Sequence, residues 1–323
     1  MIKLALIGLG NMGGNHLKNI KALEKYNLCK LTCVCDIDKD KVNKASSEND
    51  IKGFNNIEDL ISYNDFDAAI IATTSYTHFE ISKKMLEKDK SVLVEKPVVI
   101  SIKEAQELKS IADKSKGIIS AGFTEVYNSV VSGLKECMEE DEKFSYIDFY
   151  RIGLNNSRNK VKDIDAIQDL LTHDLAVLSQ VCDLNEVVDI NGSVFNYNEN
   201  SKKYDSSSVS LIFKNNSVVR FLVDRNSSVK KRELNISKTD LFGTFDYMDQ
   251  TATVKEKGSM DAFGENIWYS QKYDTVQVRY ANNPLLDEIK DFILAVENKG
   301  QTRVSEKWFE VTELVEKIRE VIY

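Results

Sequence analysis

Over its first 122 residues the chain alternates short apolar runs with amphipathic stretches. Ile2–Ile7 is an apolar run that ends in glycine. Residues 12–25 place Met12, His16, Ile20 and Leu23 at three- and four-residue steps, which predicts a helix. Leu31–Cys35 reads as a second strand, 39–48 as a polar helix, 56–62 as a short helix and Ala68–Ala72 as a third strand. A helix over 76–88, a strand at Ser91–Val94, a helix over 101–115 and a strand at Ile118–Ala121 follow. Strands alternating with helices predict an α/β domain with a parallel sheet covered on both faces. Right-handed crossovers make that sheet doubly wound.

The pattern changes in the second half. In IQDLLTHDL (167–175) and just beyond, Ile167, Leu170, Leu171, Leu175 and Leu178 keep helical spacing. Residues 187–255 then contain β-rich runs, among them VSLIF (209–213), SVVRFLVD (217–224) and KRELNIS (231–237). Asn215-Asn216 lies between the first two and reads as a hairpin turn. Two helices, about 285–298 and 306–321, close the chain. This predicts an α+β domain with a large, mostly antiparallel open sheet. The expected division is 1–122 and 123–323, with the boundary near Gly122. Val218, Arg220 and Leu222 alternate with Val219, Phe221 and Val223. Both faces of that sheet carry apolar groups, so a homodimer or homotetramer formed through it is expected.

Composition narrows the function classes. A chain of 323 residues suits two domains, and 42% hydrophobic with 29% charged residues is a soluble globular balance. The net charge of −8 argues against a nucleic-acid partner, which would want a basic face. It leaves room for a phosphorylated ligand, because helix N-termini bind phosphate without net positive charge. No run approaches the roughly 20 apolar residues that span a bilayer, and MIKLALIG leads directly into a strand without a separable signal peptide. The five cysteines, Cys29, Cys33, Cys35, Cys137 and Cys182, form no C-x-x-C pair. Reduced thiols fit a cytoplasmic protein, with Cys33 and Cys35 as small core residues.

The motifs point to a dinucleotide. Gly8-Leu9-Gly10-Asn11-Met12-Gly13 fits G-x-G-x-x-G, follows a strand and opens a helix, the context that makes this pattern specific. Gly8 permits the tight turn, Gly10 lets the backbone approach a pyrophosphate, and Gly13 lets the helix pack on the sheet. Asn11 and Met12 then lie at the helix N-terminus, whose N–H groups and dipole favour anions. Asp36 closes the second strand, 23 residues after Gly13. A carboxylate there accepts bonds from the ribose hydroxyls of NAD and repels the 2′-phosphate of NADP. No arginine follows it, although Lys39 and Lys41 do, so NAD is predicted over NADP. Thr73 and Thr74 stand at the C-terminal end of a strand, where ligands bind in such sheets; hydroxyls at 73–75 can also simply cap the next helix. His78 either packs in the core or touches the cofactor.

The reacting groups are sought at two further strings. Glu95-Lys96-Pro97 follows a strand end and is either a solvated charged turn or part of the site. Asp169 and His173 are four apart, so a carboxylate and an imidazole share one helical face. Such a pair, with a lysine from elsewhere, moves a proton near neutral pH. Asp174 faces roughly 100° away and is expected to cap or orient. No third ligand at metal-site spacing is evident.

The set GLGNMGGNH, TTSYTH, EKP, GFTEVYN and DLLTHDL, in this order, resembles the glucose–fructose oxidoreductase and inositol dehydrogenase (Gfo/Idh/MocA) family. NPLLDEIKDFILAVENKGQTRVSEK is similar to that family's closing helices. The resemblance implies a Rossmann domain followed by an α/β domain built on an open sheet. It implies oxidation or reduction of a sugar or cyclitol C–OH with a nicotinamide cofactor. Lys96 would contact cofactor and substrate, with Glu95 beside it, and Asp169 and His173 would serve substrate binding and proton transfer. RIGLNNSRNKVKDIDAIQDLLTHDL resembles more closely the branch of sugar-nucleotide 3-dehydrogenases acting on UDP-N-acetylglucosamine, with Arg151, Arg158, Asp163 and Asp165 at its charged positions. Substrate contacts are therefore expected at Lys96, Tyr127, Arg151, Arg158, Asp169 and His173. The two arginines either pair a substrate phosphate or face solvent. Val126-Tyr127-Asn128-Ser129 replaces the family's R-F-N-P, and Asn155-Asn156 replaces a proline-containing loop. Three readings follow: a sugar-nucleotide dehydrogenase acting at C3, a dehydrogenase of a free cyclitol, sugar or sugar phosphate, and a dinucleotide-binding regulatory protein without turnover.

Overall fold

Six parallel strands form the first sheet, in the order β3-β2-β1-β4-β5-β6. They are β1 (Ile2–Ile7), β2 (Cys29–Cys35), β3 (Lys52–Phe54), β4 (Ala68–Ile71), β5 (Ser91–Glu95) and β6 (Ile119–Gly122). The computed structural model describes all residues except 140–142, 155–163 and 264–267, and describes backbone alone at 139 and over 258–263 and 268–273. The strands are apolar because helices cover both faces: every residue of β4 and β5 is buried. The helices are α1 (Asn11–Glu24), α2 (Lys39–Asn49), α3 (Ile57–Tyr63), α4 (Ser75–Leu86) and α5 (Ile102–Ala112). Side-chain caps from Asp38, Asn56 and Ser101 start α2, α3 and α5. The sequence pattern did not disclose β3, whose three residues are too few to alternate. Cys29, Cys33 and Cys35 are free and buried, and burial pushes their thiols up to about 12, 11 and 12. They are unreactive core residues.

The domain boundary expected near Gly122 is corrected. One unit comprises Met1–Tyr127 together with Asn283–Glu316, and the other Asn128–Asn282 with Lys317–Tyr323. The physical reason is α8 (Pro284–Asn298), whose Ile289, Phe292 and Ile293 share one core with Leu4, Leu6 and Ile20. That apolar stripe has nowhere else in this unit to be buried, so the chain returns to close the first core. The last helix, α9 (Lys307–Ile322), begins in this unit and buries Trp308 and Val311.

The second unit is built on eight strands, ordered β14-β13-β12-β11-β7-β10-β9-β8. They are β7 (Tyr146–Leu154), β8 (Val187–Asn198), β9 (Lys203–Phe213), β10 (Val218–Ser227), β11 (Lys231–Ser237), β12 (Leu241–Asp246), β13 (Thr251–Phe263) and β14 (Trp268–Arg279). All pairings are antiparallel except β7 with β10. The β9–β10 turn holds Asn216 at φ 64, a left-handed conformation that asparagine tolerates. Val219, Phe221 and Val223 point into the core, and Phe221 stacks on its register partner Phe149 at 5.0 Å. On the other face Arg220 is exposed, pairs with Asp148 at 2.6 Å and lies over the Tyr146 ring. Helix α6 (Val130–Glu139) packs on β12 and β13. Among the described residues no helix is long and apolar enough to cross a membrane, and no cluster of three His, Cys, Asp or Glu is placed to hold a metal.

Candidate active site

The glycine loop meets the geometric demands of a phosphate cradle. Gly8 adopts φ +95, and a Cβ there would lie 2.4 Å from the Ala72 carbonyl oxygen. A Cβ on Gly13 would lie 2.0 Å from the Gly8 oxygen, so the helix packs only with glycine there. At Gly10 a Cβ would meet nothing within 4 Å, so packing does not demand glycine, and its absence leaves the loop open to a ligand. Gly10 caps α1 without a side-chain bond, no acid lies in the first turn, and Asn11 and Met12 are exposed. The N–H groups and positive helix end therefore face outward, as a pyrophosphate requires.

Asp36 ties this loop to β2. Its Oδ2 accepts the Leu9 N–H at 2.6 Å and its Oδ1 accepts the Asp38 N–H at 2.9 Å. Each carboxylate oxygen keeps a further lone pair for a ribose hydroxyl. Asp38 in turn caps α2 and sits 3.5 Å from Lys41 Nζ. That lysine is engaged beside carboxylates, and two acids crowd the place where a 2′-phosphate would go.

The other residues expected at the cofactor make contacts within the unit. Thr74 is the N-cap of α4 by position but makes no cap bond. Instead Thr77 Oγ1 donates to the Thr74 carbonyl at 2.8 Å and lies 2.8 Å from Thr73 Oγ1, whose hydroxyl can donate to it. The capping expected of the 73–75 hydroxyls is not used. His78 is buried, with Nδ1 2.8 Å from the Pro97 carbonyl and Nε2 3.3 Å from the Thr73 carbonyl. Burial pushes its pKa down against these two bonds, so the ring is neutral and donates from Nδ1, the shorter contact. Through that bond it braces the turn after β5. Glu95 is buried as well: Oε1 lies 2.7 Å from His16 Nε2, and Oε2 accepts the Lys96 N–H at 3.3 Å. Burial raises the Glu95 pKa, but the His16 bond and the charges of His16, Lys96 and His78 outweigh it, and the net direction is down. Lys96 is the one residue of 91–99 that is not buried, and the Lys96–Pro97 bond is cis. Tyr127 is held within the first unit. It is buried, donates to Asp291 at 2.7 Å and lies under Arg303. Burial and then Asp291 hold its hydroxyl protonated.

A buried acid of this unit was not anticipated. Glu288, on α8, accepts the Thr124 hydroxyl at 3.0 Å, while its Oε1 is buried without a hydrogen-bond partner. Burial first, and the charge of Glu95 second, raise its pKa well above the ordinary value. The folded state therefore keeps a proton that the unfolded state loses. The stability this gives is complete below the unfolded value near 4.5 and declines as pH rises toward the folded value. Glu288→Gln is expected to match wild type near pH 5 and to melt progressively higher than wild type toward pH 9. Thermal melting across that range checks it; parallel curves would remove the assignment of a neutral Glu288.

In the second unit the expected helix begins differently. Asp165 Oδ1 accepts the N–H groups of Ile167 and Gln168 at 3.0 Å, and Arg319 holds Oδ2 at 2.9 Å. Ile167–Leu171 is a π turn, closed by the Thr172 N–H on the Ile167 carbonyl, and α7 (Thr172–Leu178) follows. The plain α-helix predicted for Asp169 and His173 is thus a π turn running into an α-helix, a feature common at functional sites. Of residues 164–179 only Leu170 and His173 are not buried. Asp169 is buried and lies 3.3 Å from Arg225 Nη1. Arg225 also donates to Asp205 at 3.0 Å and to the Ile164 carbonyl at 3.2 Å.

Arg151 is buried, donating from Nε and Nη2 to Asp174 Oδ1 at 2.9 and 2.7 Å. Asp174 thereby anchors α7 to β7, in keeping with its orienting role. Arg158 and Asp163, like Asn155 and Asn156, lie outside the described residues. The sequence reading missed Arg225, although a signal existed. The inward alternation Val219, Phe221, Val223 continues to 225, as Ile147 and Phe149 continue to Arg151. A charged residue at an inward strand position demands a buried partner.

Residues 2–123 match the family model described as an oxidoreductase family, NAD-binding Rossmann fold (GFO_IDH_MocA). The UDP-N-acetylglucosamine 3-dehydrogenase of Acidithiobacillus ferrooxidans is 22% identical over 91% of this chain and 88% of its own length. The glucose-6-phosphate 3-dehydrogenase of Bacillus subtilis is 31% identical over 44% of this chain and 39% of its own. The solved structure of the Acidithiobacillus enzyme superposes with a TM-score of 0.85 at 20% identity, covering 99% of this chain and 97% of that one.

Proposed function

We propose that this chain, whose residues 2–123 match the family model of an NAD-binding Rossmann oxidoreductase family, transfers a hydride between NAD and a secondary alcohol of a sugar. What carries the proposal is His173, the one polar residue of 164–179 not buried, on the helix that also carries the paired carboxylate of Asp169. Oxidising an alcohol requires a base for the hydroxyl proton. The neutral imidazole of His173 takes it, and Asp169, fixed by Arg225, orients the ring or binds a hydroxyl. Lys96 stabilises the developing alkoxide as an ammonium group. The glycine loop, Asp36 and the open N-terminus of α1 fit a dinucleotide, whose nicotinamide supplies the hydride acceptor when bound.

The proposed substrate is a nucleotide-activated sugar oxidised at C3, supported by the 22% likeness to a UDP-N-acetylglucosamine 3-dehydrogenase along most of both chains. One observation favours a second reading. Arg151 is committed to Asp174, which removes one of two arginines expected to hold a substrate phosphate. A free cyclitol or sugar needs no such group. Initial rates of NADH formation over UDP-N-acetylglucosamine, glucose 6-phosphate and the inositols decide between them. UDP-sugar turnover supports the first reading and inositol turnover the second; silence across the panel returns the protein to a dinucleotide-binding regulator. Asp36 and Asp38 lead to a further expectation: at equal low concentrations NAD is reduced faster than NADP, and Asp36→Ala narrows that preference at least about 10-fold. A faster rate with NADP in the wild type would overturn it. We further propose that copies of the chain associate through the β7–β10 face bearing Tyr146, Arg220 and Leu222. The free cysteines fit a reducing compartment, the cytoplasm.

A further inference from the structure

One buried side-chain contact joins the glycine-loop helix to the Lys96 strand end. His16 Nε2 lies 2.7 Å from Glu95 Oε1, between residues 79 positions apart. Both are buried, and neither lies on a neighbouring element by sequence: His16 is on α1, which follows β1, while Glu95 ends β5, and β4 separates those strands in the sheet. In a doubly wound sheet of this strand order, each half receives one nucleotide of the dinucleotide. The contact therefore bridges the pyrophosphate helix of one half and the strand end of the other. Glu95 passes it on directly, since its second oxygen accepts the Lys96 backbone N–H at 3.3 Å.

We infer that the His16–Glu95 hydrogen bond is a positioning contact that ties Lys96 and the end of β5 to the glycine-loop helix, so that the nicotinamide half of the cofactor is received in register with its pyrophosphate. It rests on the nicotinamide-cofactor reading and on nothing about the substrate. The packing around Glu95 leaves the carboxylate no second arrangement. A Cβ on Gly122 would lie 3.0 Å from the Glu95 Cα and 3.1 Å from its Oε2, so β6 closes the side opposite His16. His16 Nδ1 is buried without a hydrogen-bond partner. The Nε2 atom is thus the ring nitrogen engaged in this contact, and it is spent on Glu95.

The test compares two ligands that differ only in the nicotinamide. Affinities for NAD and for ADP-ribose are measured by calorimetry on the full chain. His16→Leu is expected to weaken NAD about 10-fold and to leave ADP-ribose within about 2-fold, the loss of one hydrogen bond to a charged group acting on one half of the cofactor. His16→Gln, whose side-chain N–H reaches a similar distance, is expected to recover NAD affinity to within about 3-fold of wild type. Unchanged NAD affinity in His16→Leu overturns the inference. So do equal losses for both ligands, or a glutamine variant no better than the leucine one. Should His16→Leu fail to fold, Glu95→Gln carries the same expectation, because an amide offers one acceptor where two donors converge. A wild-type chain that binds neither ligand would overturn the cofactor reading itself, and a chain that binds both but shows no discrimination in the variants would overturn only this inference.

Discussion

Replacing His173 by asparagine is expected to lower kcat about 1,000-fold while leaving NAD affinity within about 3-fold of wild type, the range over which a general base contributes. Its neighbours Thr172 and Asp174 are buried and engaged, the first on the Gln168 carbonyl, the second on Arg151. His173 alone among these polar groups keeps partial exposure. Asparagine preserves polarity and approximate size but has no group that takes a proton near neutral pH. Asp169→Asn and Lys96→Met are expected to reduce kcat to a similar degree. The lysine variant removes the one residue of 91–99 with an open side. Steady-state turnover with cofactor binding measured separately tells chemistry from binding. Near-wild-type turnover in all three variants would remove the assignment of these residues.

The fold was legible where one rule acted alone. The strands of the first sheet are buried on both faces and read as unbroken apolar runs, and the helices between them start on side chains that cap. The glycine loop was legible because two of its glycines are steric requirements. What escaped the sequence reading depends on distant partners. α8 carries an ordinary amphipathic stripe, and nothing local says which of two cores it completes. β14 carries WYSQKYDTVQVR, polar at most positions and exposed over 274–279, so no periodicity marks it. Tyr127, Arg151, Glu95 and His78 have residue types that suit a site. Each is instead used inside its own unit, on Asp291, Asp174, His16 and backbone carbonyls respectively. Residue type alone does not say which side chains stay exposed, because exposure is a tertiary property. His173 and Lys96 keep that exposure; the other four do not.

Arg225→Met is expected to destabilise the second unit by about 3–5 kcal/mol at pH 8, lowering its melting temperature by about 10 °C. Arg225 is buried and holds two buried carboxylates, Asp169 and Asp205, from one guanidinium. Methionine fills much of the space but takes the guanidinium away from two buried carboxylates. Removing one partner of a buried pair is far more harmful than never having made it, because the remaining charge keeps its desolvation penalty. The sign of the pH dependence follows. A buried carboxylate that loses its cationic partner holds its proton to higher pH, so in the variant stability is retained better at low pH and lost as pH rises. The gap from wild type is therefore expected to be smaller at pH 5 than at pH 8. Adding Asp205→Asn to Arg225→Met removes one of the stranded charges and is expected to recover part of the loss, a coupling that a double-mutant cycle reads directly. Arg225→Lys keeps the charge without the fork that serves two acids, and should fall between. Turnover is expected to fall with Arg225→Met even in the fraction that remains folded, since Asp169 loses the contact that orients it. A variant that melts within about 2 °C of wild type at pH 8 would show that Asp169 is positioned by something other than Arg225.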